Sequence, residues 1–148
     1  MEAVLFIGMQ ASGKSTFYRE RFFSSHVRIN LDMLRTRHRE KRLLEVCLDT
    51  KQPFIVDNTN PTKLNRQAYI SSAKEAGFKI VGYYFQSSIE DCKRRNEQRT
   101  GEQQVPLPGL LGTYSRLEIP SIAEGFDELF YVRITDGGFV VEEWKNEV

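Results

Sequence analysis

The chain has 148 residues, 40% hydrophobic, 11% aromatic and 28% charged, with a formal net charge of +1; this suits one compact domain over residues 1–148 with a single core and excludes a disordered chain. The near-neutral total conceals a split, because Leu117–Val148 carries eight acidic residues against two basic ones, a net −6 that leaves +7 on the first 116 residues. No apolar run approaches the ~20 residues of a membrane span, Met1-Glu2 and the short Val4–Ile7 run do not make a secretory leader, and Cys47 and Cys92 lack metal-site spacing, so the expectation is a cytoplasmic (or nuclear) protein with reduced, buried thiols, no membrane and no obligate protein partner.

Val4–Ile7 reads as a first strand without polar alternation, as in a sheet covered on both faces. Directly after it, Gly8-Met9-Gln10-Ala11-Ser12-Gly13-Lys14-Ser15 fits G-x-x-x-x-G-K-[S/T]. The glycines let the backbone curl so that its N–H groups point inward around phosphate oxygens. The following helix, Lys14–Phe23, adds its positive N-terminus. Lys14 is placed to reach the β- and γ-phosphates, the Ser15 hydroxyl to bind Mg²⁺, and Thr16 to supply a further hydroxyl near the nucleotide. Gly8, Met9, Gln10, Ala11, Ser12, Gly13, Lys14, Ser15 and Thr16 are therefore candidate nucleotide-binding residues, with ATP (or another NTP) and Mg²⁺ as ligands. The loop alone does not separate kinases from other nucleotide hydrolases. A guanine-reading Asn-Lys-x-Asp is missing, and the chain is short for a motor ATPase; a small kinase fits best.

Val27–Asn30 reads as the second strand, and Leu31–Asp49 as one helix with Leu31, Leu34, His38, Leu43, Leu44, Cys47 and Leu48 at three- and four-residue steps. A kinase needs a group to take the acceptor proton and cations for the moving phosphoryl group. Asp32 follows the carboxyl end of the second strand, the edge that lines the ligand crevice of open α/β sheets. Arg35 lies three residues on, on the same face of a helix starting by Leu31. Such a pair either grips a hydroxyl and a neighbouring phosphate or forms an exposed salt bridge. Phe54–Asp57 is a third apolar strand ending in an acid; Asp57 either holds Mg²⁺ through water or anchors a side chain such as Arg35. Asn60-Pro61 opens the next helix, with Asn60 as N-cap, and Gly77 closes it.

Lys79–Phe85 is the fourth strand. Ser87-Ser88-Ile89-Glu90 is a capping-box pattern opening a helix whose Arg95 and Arg99, spaced i, i+4, project from one face. That spacing suits a small lid over phosphates, or an ordinary basic last turn. A further helix is expected around Leu110–Leu117. Phe130–Ile134 is a fifth strand, and Asp136-Gly137-Gly138 turns into a last one, Phe139–Glu142. Alternating strands and helices predict an α/β fold with a doubly wound, mainly parallel sheet of about five strands flanked by helices. His26 and His38 have no partner pattern. Of Phe17, Tyr18 and Tyr114, which are able to stack bases, at least two are expected in the core.

Five features in order carry a likeness: Gly8–Thr16; Asn30-Leu31-Asp32-Met33-Leu34-Arg35; Val56-Asp57-Asn58-Thr59-Asn60-Pro61; Arg95-Asn96-Glu97-Gln98-Arg99 before Val105-Pro106; and Glu118–Phe126. With these the chain resembles the kinase domain of the 5′-hydroxyl polynucleotide kinases of phages and eukaryotic DNA repair, from Gly8 to about Ile134. The resemblance implies a P-loop kinase fold with a small arginine-bearing helical lid, and transfer of the ATP γ-phosphate to a 5′-hydroxyl end of DNA or RNA. It implies that Asp32 is the general base, that Arg35 holds the adjacent phosphate of the acceptor, and that Asp57 helps position that arginine. Lys14 and Ser15 would serve ATP and Mg²⁺; Arg95 and Arg99 would be lid residues, Arg99 reaching the transferring phosphoryl group.

The chain also departs from those kinases. An Asp-x-Asp-Gly phosphatase motif is missing, and Leu31 stands where relatives often carry a basic residue. The Asn-Thr-Asn-Pro stretch occurs as well in P-loop kinases with unknown acceptors. A small molecule or sugar-nucleotide acceptor, as for zeta-toxin-like kinases, is the alternative. Six basic residues against two acidic ones between Arg28 and Arg42 favour a polyanion. A nucleotide-binding interaction module with little turnover is the third reading, and intact Lys14, Ser15, Asp32 and Arg99 argue against it.

Overall fold

The structure, a computed structural model, describes residues 1–145. Six strands form one sheet: β1 Glu2–Ile7, β2 Val27–Ile29, β3 Phe54–Val56, β4 Lys79–Phe85, β5 Glu128–Thr135 and β6 Gly138–Glu143. Their order is β2-β3-β1-β4-β5-β6, parallel except for the antiparallel β5–β6 hairpin. The hairpin turns through Asp136-Gly137, and Gly138, whose φ of 124° favours glycine, opens β6. Its edge strand brings the sheet from about five strands to six.

Ala3 to Ile7 have no exposed surface, which is why β1 reads as a continuous apolar run. Successive side chains leave opposite faces. Ala3, Leu5 and Ile7 pack with Ile29, Phe54, Val56 and Ile80 under two helices, α3 Arg37–Thr50 and α4 Lys63–Glu75. Val4 and Phe6 pack on the other face with Phe17, Tyr18 and Phe22 of α1 Lys14–Arg21 and its C-cap. Phe6, Phe17, Phe22, Tyr83 and Phe85 meet there mostly edge to face, at centroid separations of 5.0–6.0 Å. Phe17 and Tyr18 are thus core, while Tyr114 is exposed.

The chain runs from β1 out to β2, returns to β3 beside β1, then crosses to β4 on the other side of β1. This reversal of winding places the carboxyl end of β1 at the sheet's switch point, the usual ligand crevice. The lid elements α5 Ile89–Glu97 and α6 Leu107–Arg116 follow β4. Among the described residues no helix is long and apolar enough to cross a membrane.

Four local expectations are corrected. The helix expected over Leu31–Asp49 is two: α2 Leu31–Leu34 stops at Arg35, whose φ is 75°, and Thr36 caps α3 by accepting the Arg39 N–H at 3.1 Å. Once Arg35 leaves the helical region, the first N–H groups of the next turn lose their carbonyl partners, and the Thr36 hydroxyl supplies one, so a new helix starts at Arg37. Asn60 is not an N-cap. It is buried at φ 45° and its Nδ2 donates to Phe6 O at 2.8 Å, while Thr62 caps α4 in a reciprocal pair with Asn65. Ser88, not Ser87, caps α5. Finally, α5 ends at Glu97, so Arg95 and Arg99 do not share a helix face.

Candidate active site at the phosphate loop

The loop after β1 is fastened from both neighbouring strands. Gly8 N–H donates to Thr59 O at 3.0 Å, beyond β3, and Met9 N–H donates to Ser87 Oγ at 3.1 Å, beyond β4. The Met9 side chain is fully buried against Cys92 of α5 and Leu110 of α6, so the loop carries the lid. Gly13 has φ 96°, and a Cβ there would stand 3.0 Å from Ile134 Cδ1 and Phe139 Cε1 of the β5–β6 hairpin. Conformation and space therefore both require glycine. Among the described residues, the backbone N–H groups of Gln10 to Thr16 have no protein acceptor; bonding resumes with Phe17 N–H on Gly13 O at 2.9 Å. A curl of free N–H groups at a helix N-terminus is an anion cradle.

Lys14 closes the cradle from inside. Its ammonium donates to Gly8 O at 3.0 Å, Met9 O at 2.5 Å and Ser12 Oγ at 3.4 Å, and the residue is 9% exposed. Burial pushes its pKa down from 10.5 to about 8, against the pull of Asp57, Cys92 and Asp32 and with help from Arg99. Lysine, both carboxylates and the lid arginine thus lie within electrostatic reach of one another.

Ser15 Oγ donates to Asp57 Oδ2 at 3.3 Å and accepts from Arg28 Nη2 at 2.9 Å. Arg28 Nε also donates to Asp57 Oδ2, at 2.8 Å. Asp57 therefore anchors Arg28 and not Arg35, a correction to the expectation from resemblance. Arg28 lies on β2 beside β3, paired in register with Ile55, which points its guanidinium along the sheet edge toward Asp57. In the sequence Arg28 stands out only as one of the charges between Arg28 and Arg42; the signal of its role is a basic residue inside an apolar strand beside the acid's strand. Arg35 instead reaches Glu102 at 3.2 Å, both side chains largely exposed, in the 3₁₀ turn Gly101–Gln103 after α5.

Asp32 is exposed on α2 and has no hydrogen-bond or ion-pair partner among the described residues. Its helix is tied to the end of β3. Asn30 Oδ1 accepts Met33 N–H at 2.9 Å, Asn30 Nδ2 donates to Asp57 O at 2.6 Å, and Leu31 N–H donates to Asn58 Oδ1 at 2.9 Å. In the lid, Arg95 Nη1 donates to Ala11 O of the loop at 3.1 Å and Arg99 Nη1 to Gln103 O at 3.3 Å. Gln10 Nε2 donates to Thr113 Oγ1 of α6 at 2.9 Å. Thr16 is exposed and accepts from Arg19 at 3.3 Å.

The Glu118–Phe126 motif braces this site from below. Arg66, fully buried, is held by both Glu124 carboxylate oxygens at 2.8 and 3.1 Å and donates to Asn60 O at 2.9 Å. Through Asn60 the brace reaches the end of β1.

The Ser15 hydroxyl and an Asp57 carboxylate oxygen, 3.3 Å apart, are hard oxygen donors that fit a cation such as Mg²⁺, which would take the position the Arg28 guanidinium fills between them. The site as a whole offers an anion cradle, a cation position, an unpaired carboxylate at its mouth and arginines in a lid.

A family model described as an AAA domain matches residues 4–111. A protein of Schizosaccharomyces pombe, named bifunctional polynucleotide phosphatase/kinase, is 30% identical over 129 residues; the match takes in 84% of this chain and 32% of that relative, so this chain spans about a third of its length. Among solved structures, Chaetomium thermophilum Kti12 in complex with ADP-AlF3 superposes with a TM-score of 0.68 at 17% identity, covering 91% of this chain and 92% of that one. A gluconokinase from Sinorhizobium meliloti 1021 gives 0.63 at 18%, covering 91% and 83%. The loop, the order of the strands and these matches agree: the chain belongs to the AAA-domain family that matches it, and its fold is that of a P-loop kinase.

Proposed function

We propose that this chain transfers the γ-phosphate of ATP to a 5′-hydroxyl end of DNA or RNA, with Mg²⁺ as cofactor. The observation that carries the reading is the pairing of an intact phosphate cradle around Lys14 with an unpaired acid, Asp32, on a short helix at its mouth. The name of the Schizosaccharomyces pombe relative supports the acceptor class. In this reading the N–H groups of Gln10 to Thr16 hold the phosphates and Lys14 turns from the carbonyls of Gly8 and Met9 to them. Ser15 and Asp57 would hold the cation once Arg28 swings from between them, and the bound cation would supply charge that offsets the phosphates. Asp32 accepts the proton of the attacking hydroxyl, Arg35 leaves Glu102 for the neighbouring phosphate, and Arg95 and Arg99 close from the lid over the phosphoryl group in transit.

One observation favours a smaller acceptor. Of the basic residues between Arg28 and Arg42, Arg28, Arg35, Arg37 and Arg42 each meet a carboxylate and Arg39 meets Leu34 O. That leaves less free positive charge for a polyanion than the sequence suggests. The readings separate when γ-labelled ATP is offered with 5′-hydroxyl DNA and RNA oligomers, nucleosides and sugars. Labelled oligomers with unlabelled adenosine and sugars are the expected result; labelled small molecules with inert oligomers would overturn it.

A further inference from the structure

Glu40 lies outside this chemistry. It is a carboxylate 5% exposed on α3, between two exposed basic residues, Arg39 and Lys41. Three donors meet it. Arg37 Nη1 and the Tyr69 hydroxyl donate to Oε1 at 3.0 and 2.9 Å, and Asn58 Nδ2 donates to Oε2 at 2.9 Å. The Tyr69 pKa is pushed up to about 12, by burial first and then by the charge of Glu40, so the phenol remains a donor.

The consequence falls on Asn58. An ionised carboxylate only accepts, whereas an amide has one donating and one accepting end. Glu40 therefore takes the Nδ2 end and turns Oδ1 toward Leu31, whose N–H donates to it at 2.9 Å. That N–H is an orphan donor at the start of α2, and a helix of four residues is too short to hold its own place. The side chain it carries at the mouth of the cradle is Asp32.

We propose that Glu40 is a positioning residue: it fixes the amide of Asn58 and, through Leu31 N–H, sets where Asp32 stands beside the phosphate loop. Glu40 touches none of the reacting atoms and acts only through Asn58. The inference rests on Asp32 being the base.

The test is a double-mutant cycle of Glu40→Met, Asn58→Ala and both together, with Asp32→Asn alongside, on γ-labelled ATP and a 5′-hydroxyl DNA oligomer. Each single variant is expected to lower kcat by about 10- to 100-fold with an unchanged KM for ATP, the size of a misplaced reacting group. The pair should fall no further than either single variant, because both act on one contact. Amide exchange supplies a reading that needs no turnover. The Leu31 N–H should exchange about tenfold faster in both single variants, as for one lost hydrogen bond, while Ala73 N–H in α4 stays protected.

A wild-type kcat in Asn58→Ala or in folded Glu40→Met, or effects that multiply in the pair, would overturn the inference. So would a lowered Tm with an unchanged Leu31 exchange rate. Asp32→Asn at the wild-type rate overturns the base reading instead, and the exchange arm distinguishes that failure.

Discussion

Lys14 sits where its charge costs most without a phosphate to meet it. Burial holds its pKa at about 8 against 10.5 for the unfolded chain, so between those values the unfolded chain binds the extra proton and this group's contribution makes stability rise with pH. Phosphates in the cradle reverse the shift, because a nearby anion favours the ammonium. ATP binding should therefore take up close to one proton at about pH 9 and almost none at about pH 7. Calorimetry in buffers of different ionisation enthalpy reads this directly; equal uptake at both would contradict it. The two acids divide as cleanly. Asp32→Asn should abolish transfer, by the ~10²–10⁴-fold of general-base catalysis, and leave ATP affinity intact, since Asp32 pairs with nothing else. Asp57→Asn should weaken Mg²⁺-dependent ATP binding, since it holds Ser15 and Arg28. Rates and nucleotide affinities measured on both variants would show the roles exchanged if the assignment is reversed.

Among the elements, the α2–α3 break is the one that shapes the site. Arg35 adopts a left-handed φ of 75° there, a strained conformation for any residue with a Cβ. Arg35→Gly and Arg35→Ala should lose acceptor binding equally, yet the glycine variant should be more stable than the alanine variant by about 1 kcal/mol in urea melts. The opposite order would mean that the turn carries no strain. A second element-level prediction concerns the brace beneath Asn60. Glu124→Gln leaves the fully buried Arg66 without its carboxylate and should destabilise by about 3–5 kcal/mol, the cost of breaking a buried pair; a loss below about 1 kcal/mol by the same melts would make it an ordinary surface contact. The legible elements were those whose apolar run settles the matter, namely the six strands and α1. The α2–α3 break was hidden because apolar spacing runs on through Thr36. The Asn60 turn was hidden because Asn-Pro is also a good helix start, and only the hydrogen bonds of Asn60 to Phe6 O and from Arg66 decide against it.

At the scale of the molecule, one sheet brings the site together from distant parts of the chain. The ends of β1, β2 and β3 supply Lys14, Asp32 and Asp57, and the lid after β4 supplies Arg95 and Arg99. The local motifs were legible because each needs only its own residues. The pairings were not: Arg28 with Asp57, Arg35 with Glu102 and Asn58 with Leu31 each join segments separated by 27 or more positions. The charge split is likewise a property of the whole. Its acidic segment includes β5 and β6, and Glu147 in it lies outside the described residues.

The proposed reaction sends phosphate from ATP to a 5′-hydroxyl on a strand end. The most direct measurement follows γ-labelled ATP with two DNA oligomers of identical sequence, one ending in a 5′-hydroxyl and the other in a 5′-phosphate. Label confined to the 5′-hydroxyl oligomer, and lost with Asp32→Asn, is the predicted result. Label on both oligomers alike, or on neither while a sugar or nucleoside is phosphorylated, would contradict it.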